Sequence, residues 1–266
     1  MPIDPDDLPA LTSFFSAERL AALTELTGHA AAAIELHQET LRLGASLLNV
    51  IATLEIALRN SVTDNLRHHF GVPNWLQNPP AEFQWRSQER GKIATAVDNA
   101  KRAEYAKLTH SEKAALDILA YPGGRPASTS HMTRVKARRQ HITVTDGKII
   151  AELTLYFWKR LYSPDYEQSL WRPTLKRTFP DKNLSRADVA IQLETLYQSR
   201  NRLAHHEPVL HQRFHETMTA IEFISQRLLA RRASAKSPLA SLLADDIAEI
   251  RTRESNLSAR LDAYRR

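Results

Sequence analysis

One stretch of this sequence gathers side chains able to move protons and hold a phosphate. It reads Tyr197-Gln198-Ser199-Arg200-Asn201-Arg202-Leu203-Ala204-His205-His206-Glu207-Pro208-Val209. A neutral imidazole accepts a proton near pH 7, and a guanidinium fixed beside it neutralises charge building on a phosphate. Asn201 and His205 are four apart and share one face of a helix, with Arg200 beside them. That set suits RNA cleavage, in which the 2′-hydroxyl attacks the adjacent phosphorus. The same residues also fit an ordinary helix terminus with a favourable cation and a capping histidine. Taken alone, they favour the terminus.

Other groups compete for attention. His206-Glu207-Pro208-Val209-Leu210-His211 superficially resembles the zincin H-E-x-x-H, but its second His lies five residues on and a proline interrupts the helix. His211 and His215 do have helical i, i+4 spacing and could share a metal with Glu216, although two histidines on a wet helix face are commoner than a site. The expectation is no metal and no cofactor. Arg134, Lys136, Arg138 and Arg139 form either an RNA-backbone track or a solvated charged face. Glu55 and Arg59 are i, i+4 at the edge of an apolar stripe, which by itself predicts a surface pair contributing ~0.5 kcal/mol. His68 and His69 at a helix end read as structural, and Trp158 and Trp171 as core.

The elements that must position these residues are helical. Gly is scarce, at 7 of 266 residues, while Ala, Leu, Arg and Glu abound. Ser16 is an N-cap for a short helix ending near Gly28. A long pattern runs from about His29 to Phe70, with Leu47, Val50, Ile51, Leu54, Leu58, Val62 and Leu66 spaced by three or four and Gly71 and Pro73 as its stop. Another helix covers about Ser87 to Leu108, after the linker Asn78-Pro79-Pro80. Tyr121 to Ser130 is a loop by composition. Asp146-Gly147 could turn a hairpin, but Ile149, Ile150, Leu153, Phe157 and Leu161 recur at helical spacing and put Asp146 near a helix start. Ser185 with Asp188 resembles a capping box for a helix carrying Val189, Leu193, Leu196, Tyr197 and Leu203. Pro208 disfavours helical geometry at Glu207, so that helix breaks around His205 to Glu207. A further helix runs to about Arg232, and a charged amphipathic segment follows to Arg266. The expected architecture is an all-α bundle with additional N-terminal and C-terminal helices, divided into residues 1–232 and an extension 233–266.

Composition narrows the function. With no cysteine, disulfides, thiolate zinc sites, iron–sulfur clusters and a Cys nucleophile are excluded. The acidic start Met1-Pro2-Ile3-Asp4-Pro5-Asp6-Asp7 has no apolar signal-peptide core, and no run approaches 18 apolar residues, so a cytoplasmic protein with no membrane span is expected. The net charge of +6 and pI near 9.6 fit a polyanionic partner, or simply solubility.

Three segments resemble one family in order along the chain. Leu54-Glu55-Ile56-Ala57-Leu58-Arg59-Asn60 looks like the Glu…Leu-Arg-Asn segment of the Abi-like (abortive infection) family within the HEPN superfamily. Ile149-Ile150-Ala151-Glu152-Leu153-Thr154-Leu155-Tyr156-Phe157-Trp158 is similar to its apolar helix ending in Phe-Trp, departing at Tyr156 where Gly is more usual. Arg200-Asn201-Arg202-Leu203-Ala204-His205-His206-Glu207-Pro208 matches the superfamily's R-x-x-x-x-H motif with the Asn and His-His-Glu-Pro of this branch. The resemblance covers roughly residues 15 to 225. It implies a HEPN-like helical bundle and a metal-independent endoribonuclease acting as an abortive-infection or toxin effector in phage defence. Arg200, Asn201 and His205 would be catalytic, with His206, Glu55, Arg59 and Asn60 supporting. Two protomers would pair their motifs in a homodimer, and the products would carry 2′,3′-cyclic phosphate and 5′-hydroxyl ends. RNA and an RNA or protein antitoxin are the implied partners. The alternative is a catalytically silent module of the same type that binds RNA or protein.

Overall fold

A computed structural model describes residues 3–265. It is all-α, with no strand among the described residues, four short 3-10 or π turns and twelve α-helices. In chain order these are α1 (Leu8–Phe15), α2 (Ala17–Thr27), α3 (Ala30–Phe70), α4 (Ser87–Lys107), α5 (His110–Ala120), α6 (His131–Gln140), α7 (Asp146–Glu152), α8 (Leu155–Arg160), α9 (Arg186–Ala204), α10 (His211–Arg227), α11 (Pro238–Leu242) and α12 (Ala244–Tyr264). Two compact units divide the chain. Residues 3–61 and 175–265 form the first, and residues 62–174 the second.

The first unit is built around the apolar stripe of α3. Leu36, Leu43, Leu47, Val50, Ile51, Leu54 and Leu58 recur at three- and four-residue steps and are all buried. α9 contributes Val189, Leu193, Leu196 and Leu203, and α10 contributes Phe214, Met218, Ile221 and Ile224. Ser16 caps α2 by accepting from Arg19 N at 3.3 Å, and Gly28 ends it at φ 70°, a left-handed conformation suited to glycine. The C-terminal α12 belongs to this unit. Its Arg260 bonds both Glu35 and Glu39 of α3, and its Arg251 pairs with Glu222 of α10. Ile250, Leu257 and Leu261 are buried beneath those bonds.

By length and mean hydropathy, α3 is also the one described helix able to cross a membrane, although 39% of its most apolar stretch is buried within the protein. Counting unbroken apolar runs overlooks this, because isolated polar residues interrupt the stretch without lowering its mean hydropathy much.

The second unit packs around aromatic rings. Phe70, Trp75, Phe83, Trp85, Phe157 and Tyr166 form a chain of contacts with centroids 4.8 to 6.4 Å apart. Trp158 and Trp171 are buried here as expected. Glu89 is buried at 1% exposure, and its charge is met by the Tyr166 hydroxyl at 2.7 Å and Arg160 Nε at 3.0 Å. Burying a carboxylate is costly unless such hydrogen-bonding partners meet it. The run Ile149 to Leu161 is two short helices, because Leu153 and Thr154 leave helical geometry between α7 and α8.

α5 and α6 are joined by a carboxylate shared between two arginines. Asp117 accepts from Arg138 Nε at 2.6 Å and from Arg134 Nε at 3.1 Å. Arg134 and then Arg138 hold its carboxyl well below the usual carboxylate range. Because the folded value is depressed, the pair's stabilisation is complete above the unfolded carboxylate value of about 3.9 and is lost as pH falls through the folded value. The melting difference between wild type and Asp117→Asn is therefore expected to stay constant from neutral pH to about pH 5 and to narrow below about pH 4. A difference that grew on acidification would contradict this account of the clamp.

Candidate active site

α9 carries the central segment and is fixed at both ends. At its start, Ser185 Oγ accepts from Asp188 N at 3.2 Å and Asp188 Oδ2 accepts from Ser185 N at 2.9 Å, the expected capping box. Along its length, Ser199 and Thr217 share a buried hydroxyl bond of 2.7 Å that ties α9 to α10. Near its end, Leu203 lies against α3 at Gly44, where a Cβ would stand 3.2 Å from Leu203 Cδ2. Glycine inside a helix costs about 1 kcal/mol relative to alanine, and here it allows a close approach.

The break anticipated at His205 to Glu207 is a Schellman turn. His205 is the C-cap, His206 N–H donates to Leu203 O at 3.0 Å, and Glu207 N–H donates to Arg202 O at 2.9 Å. The residue after the cap in this motif takes a left-handed conformation, usually as glycine. Here it is His206, at φ 58°. Pro208 then prevents the helix from resuming. Arg202 and Glu207 pair at 2.9 Å across the turn, and Arg19 Nη1 reaches the His206 carbonyl at 3.4 Å. His211, which opens α10, is likewise left-handed at φ 53°. Two histidines in this uncommon region bracket a single turn. Backbone strain of this kind tends to collect at functional sites.

Arg200 and Asn201 are half-buried on the last turn of α9, and His205 is exposed at its tip. Among the described residues, the side chains of Arg200, Asn201 and His205 make no hydrogen bond or ion pair. The rest of the turn is committed to its own architecture. Two grooves flank it. One, of about 310 Å³, lies along α3 and is lined by Gly44, Leu48, Leu203, His206 and Pro208. The other, of about 910 Å³, lies between α9 and α10 and is lined by Gln192, Thr195, His211, Gln212, His215 and Glu216.

The remaining expected residues are placed differently. Glu55 and Arg59 are half-buried on α3 and Asn60 is exposed. Arg59 Nε is buried without a hydrogen-bond partner, and no hydrogen bond or ion pair joins Arg59 or Asn60 to the α9 turn among the described residues. His211, His215 and Glu216 share a groove wall, yet among the described residues no group of three or more such side chains is close enough to hold a metal ion. The basic stretch lies on α6. Arg134 and Arg138 are spent on Asp117 and Arg139 on Asp98, which leaves Lys136 exposed as the remaining cation. These carboxylates neutralise much of the field the arginines would offer a phosphate. Sequence reasoning passed over Gly44 and Arg19. The signal for Gly44 was a lone glycine inside a strong helical pattern; none singled out Arg19.

In comparisons with family models, curated proteins and solved structures, nothing matches this chain.

The Schellman geometry yields a stability test. His206 occupies a conformation that costs a side-chain-bearing residue about 1–2 kcal/mol and glycine nothing. His206→Gly should therefore melt at or above wild type, while His206→Val should melt several degrees below it. A clear drop with glycine would mean that the His206 side chain, not the turn, holds the helix end.

Proposed function

We propose that the chain is a cytoplasmic, metal-independent endoribonuclease, working as a homodimer in abortive infection or as a toxin held in check by an RNA or protein antitoxin. The observation that carries the reading is the unspent trio on a rigid turn. Among the described residues, the side chains of Arg200, Asn201 and His205 make no hydrogen bond or ion pair, whereas the backbone beneath them is locked by the Schellman bonds and the proline. Rigid placement of a free base and a free cation is what proton transfer beside a phosphate requires. The three segments resembling the Abi-like family, and the chain's positive charge, support RNA as the substrate.

In this reading, His205 takes the proton from the 2′-hydroxyl as O2′ attacks phosphorus. The bond from phosphorus to O5′ breaks, and the 5′-oxygen takes a proton from the second protomer's His205. Arg200 stabilises the charge on the crowded phosphorane. Asn201, one turn before His205, is placed to hold a phosphate or ribose oxygen. The pairing of motifs supplies one histidine as base and the other as acid. Glu55, Arg59 and Asn60 support from α3, with Arg59 Nε in want of an acceptor.

The test compares purified variants on RNA in EDTA. His205→Ala and Arg200→Ala should each lower cleavage by ~10² or more while melting near wild type. Arg200→Lys should rescue poorly, because a point charge does not reproduce the guanidinium fork. Light scattering should read a dimer. RNA binding without cleavage by the wild type would favour the silent binding module. Activity that survives His205→Ala but disappears with EDTA or with His211→Ala would move the chemistry to a metal.

A further inference from the structure

Lys182, Arg231 and Arg232 line a cleft of about 580 Å³ in the first unit, together with Asp181 and Asn183. Two chain segments, 175–183 and 227–237, build it. Leu229 N–H donates to Thr178 O at 2.8 Å, and Arg227 Nη1 donates to Asp181 Oδ2 at 3.0 Å, so the segments are braced at two points. The first brace is held with Leu229 in the left-handed region at φ 59°, a conformation a branched side chain rarely takes. Ser237 Oγ, bonded to Ser225 O at 2.7 Å, folds the second segment back. The arrangement is built, not incidental to loose loops.

Its charge is unusual for this chain. The two segments hold seven lysines and arginines and one carboxylate, Asp181. They therefore carry +6, which is the whole net charge of the protein; the other 29 cations and 29 carboxylates, from totals of 36 and 30, cancel. Asp181 is buried and occupied by Arg227. Lys176, Arg177, Lys182, Arg231 and Arg232 are exposed and, among the described residues, make no ion pair. Like charges gathered on a concave surface repel one another and project a focused positive field.

We propose that this cleft docks the phosphate backbone of single-stranded RNA. Three exposed cations line the cleft and two more, Lys176 and Arg177, lie on its first segment, more than one phosphate needs and suited to a chain of them. The only aromatic ring in the two segments, Phe179, is buried, and Leu229 is the single large apolar side chain they expose, which falls short of the apolar face a membrane-surface element buries. α9 runs from beside this cleft to the Arg200–His205 turn, a rise of about 28 Å at 1.5 Å per residue, so docking and cleavage occupy separate ends of one helix. The proposal rests on the ribonuclease reading only for the identity of the polymer.

The experiment measures binding of a 2′-O-methyl RNA oligomer, which cannot be cleaved, to the full chain across a range of salt concentrations. Replacing Lys182, Arg231 and Arg232 together by Ala should flatten the slope of log affinity against log salt by about 2, at roughly 0.7 per lost single-strand phosphate contact. Affinity at low salt should fall tenfold or more. A variant with Lys182→Arg, Arg231→Lys and Arg232→Lys should keep the wild-type slope, which separates charge from folding. An unchanged slope in the alanine variant overturns the proposal. So does displacement of the oligomer by inorganic phosphate or uridine monophosphate at equal phosphate concentration, which would make this a small-anion site. Tight binding to phosphatidylserine vesicles with none to RNA would overturn it in favour of a membrane. If the slope changes as expected but wild type never cuts unmodified RNA, only the ribonuclease reading falls.

Discussion

Leu203 packs closely against α3 at Gly44, where even a methyl would require the leucine to give by a few tenths of an ångström. That contact sets the height at which the end of α9 meets the long helix, and the turn bearing Arg200, Asn201 and His205 is carried with it. Deeper burial along α9 and the Ser199–Thr217 bond fix the helix's rotation. With rotation and height both set, the Schellman bonds leave the last turn little freedom. The interior glycine costs helix propensity, but it brings a rigid element close to the core at the point where unspent polar groups are displayed.

The distribution of commitments in the polar residues separates structural roles from available ones. Asp117, Asp98, Glu89 and Asp181 each hold one or two arginines, and those arginines have little left to offer a ligand. Among the described residues, two groups of side chains free of such bonds stand out in the first unit: one at the end of α9, the other in the cleft beside its start. One group is small and mixes a base, an amide and a guanidinium. The other is dominated by cations. Proton transfer calls for the first composition and polyanion docking for the second.

Much of the helical framework was legible in the sequence, and for identifiable reasons. α3 announces itself through an apolar stripe that steps by three or four residues from Leu47 to Leu66, and α9 through its capping box and the proline beyond its end. α5 went unread although Thr109 and Glu112 form a capping box; the helix is short and buries no side chain fully. The run from Ile149 to Leu161 kept helical spacing across a break at Leu153 and Thr154, since spacing alone does not register a local change of backbone. The basic stretch on α6 looked available because its counter-charges, Asp117 and Asp98, lie far back in the chain. The cationic cleft was invisible for the converse reason: its two halves are some fifty residues apart and are brought together by the Leu229–Thr178 and Arg227–Asp181 bonds. The left-handed His206 was equally unreadable, because a histidine carries no glycine-like mark of that conformation.

The chemistry proposed for the end of α9 is RNA cleavage by internal attack of the 2′-hydroxyl. Mass spectrometry of the termini left on a defined RNA by the purified protein in EDTA tests it most directly. The account predicts 2′,3′-cyclic phosphate on one fragment and a 5′-hydroxyl on the other. Fragments ending in 3′-hydroxyl and 5′-phosphate, or an RNA left intact by a correctly folded dimer, would contradict it.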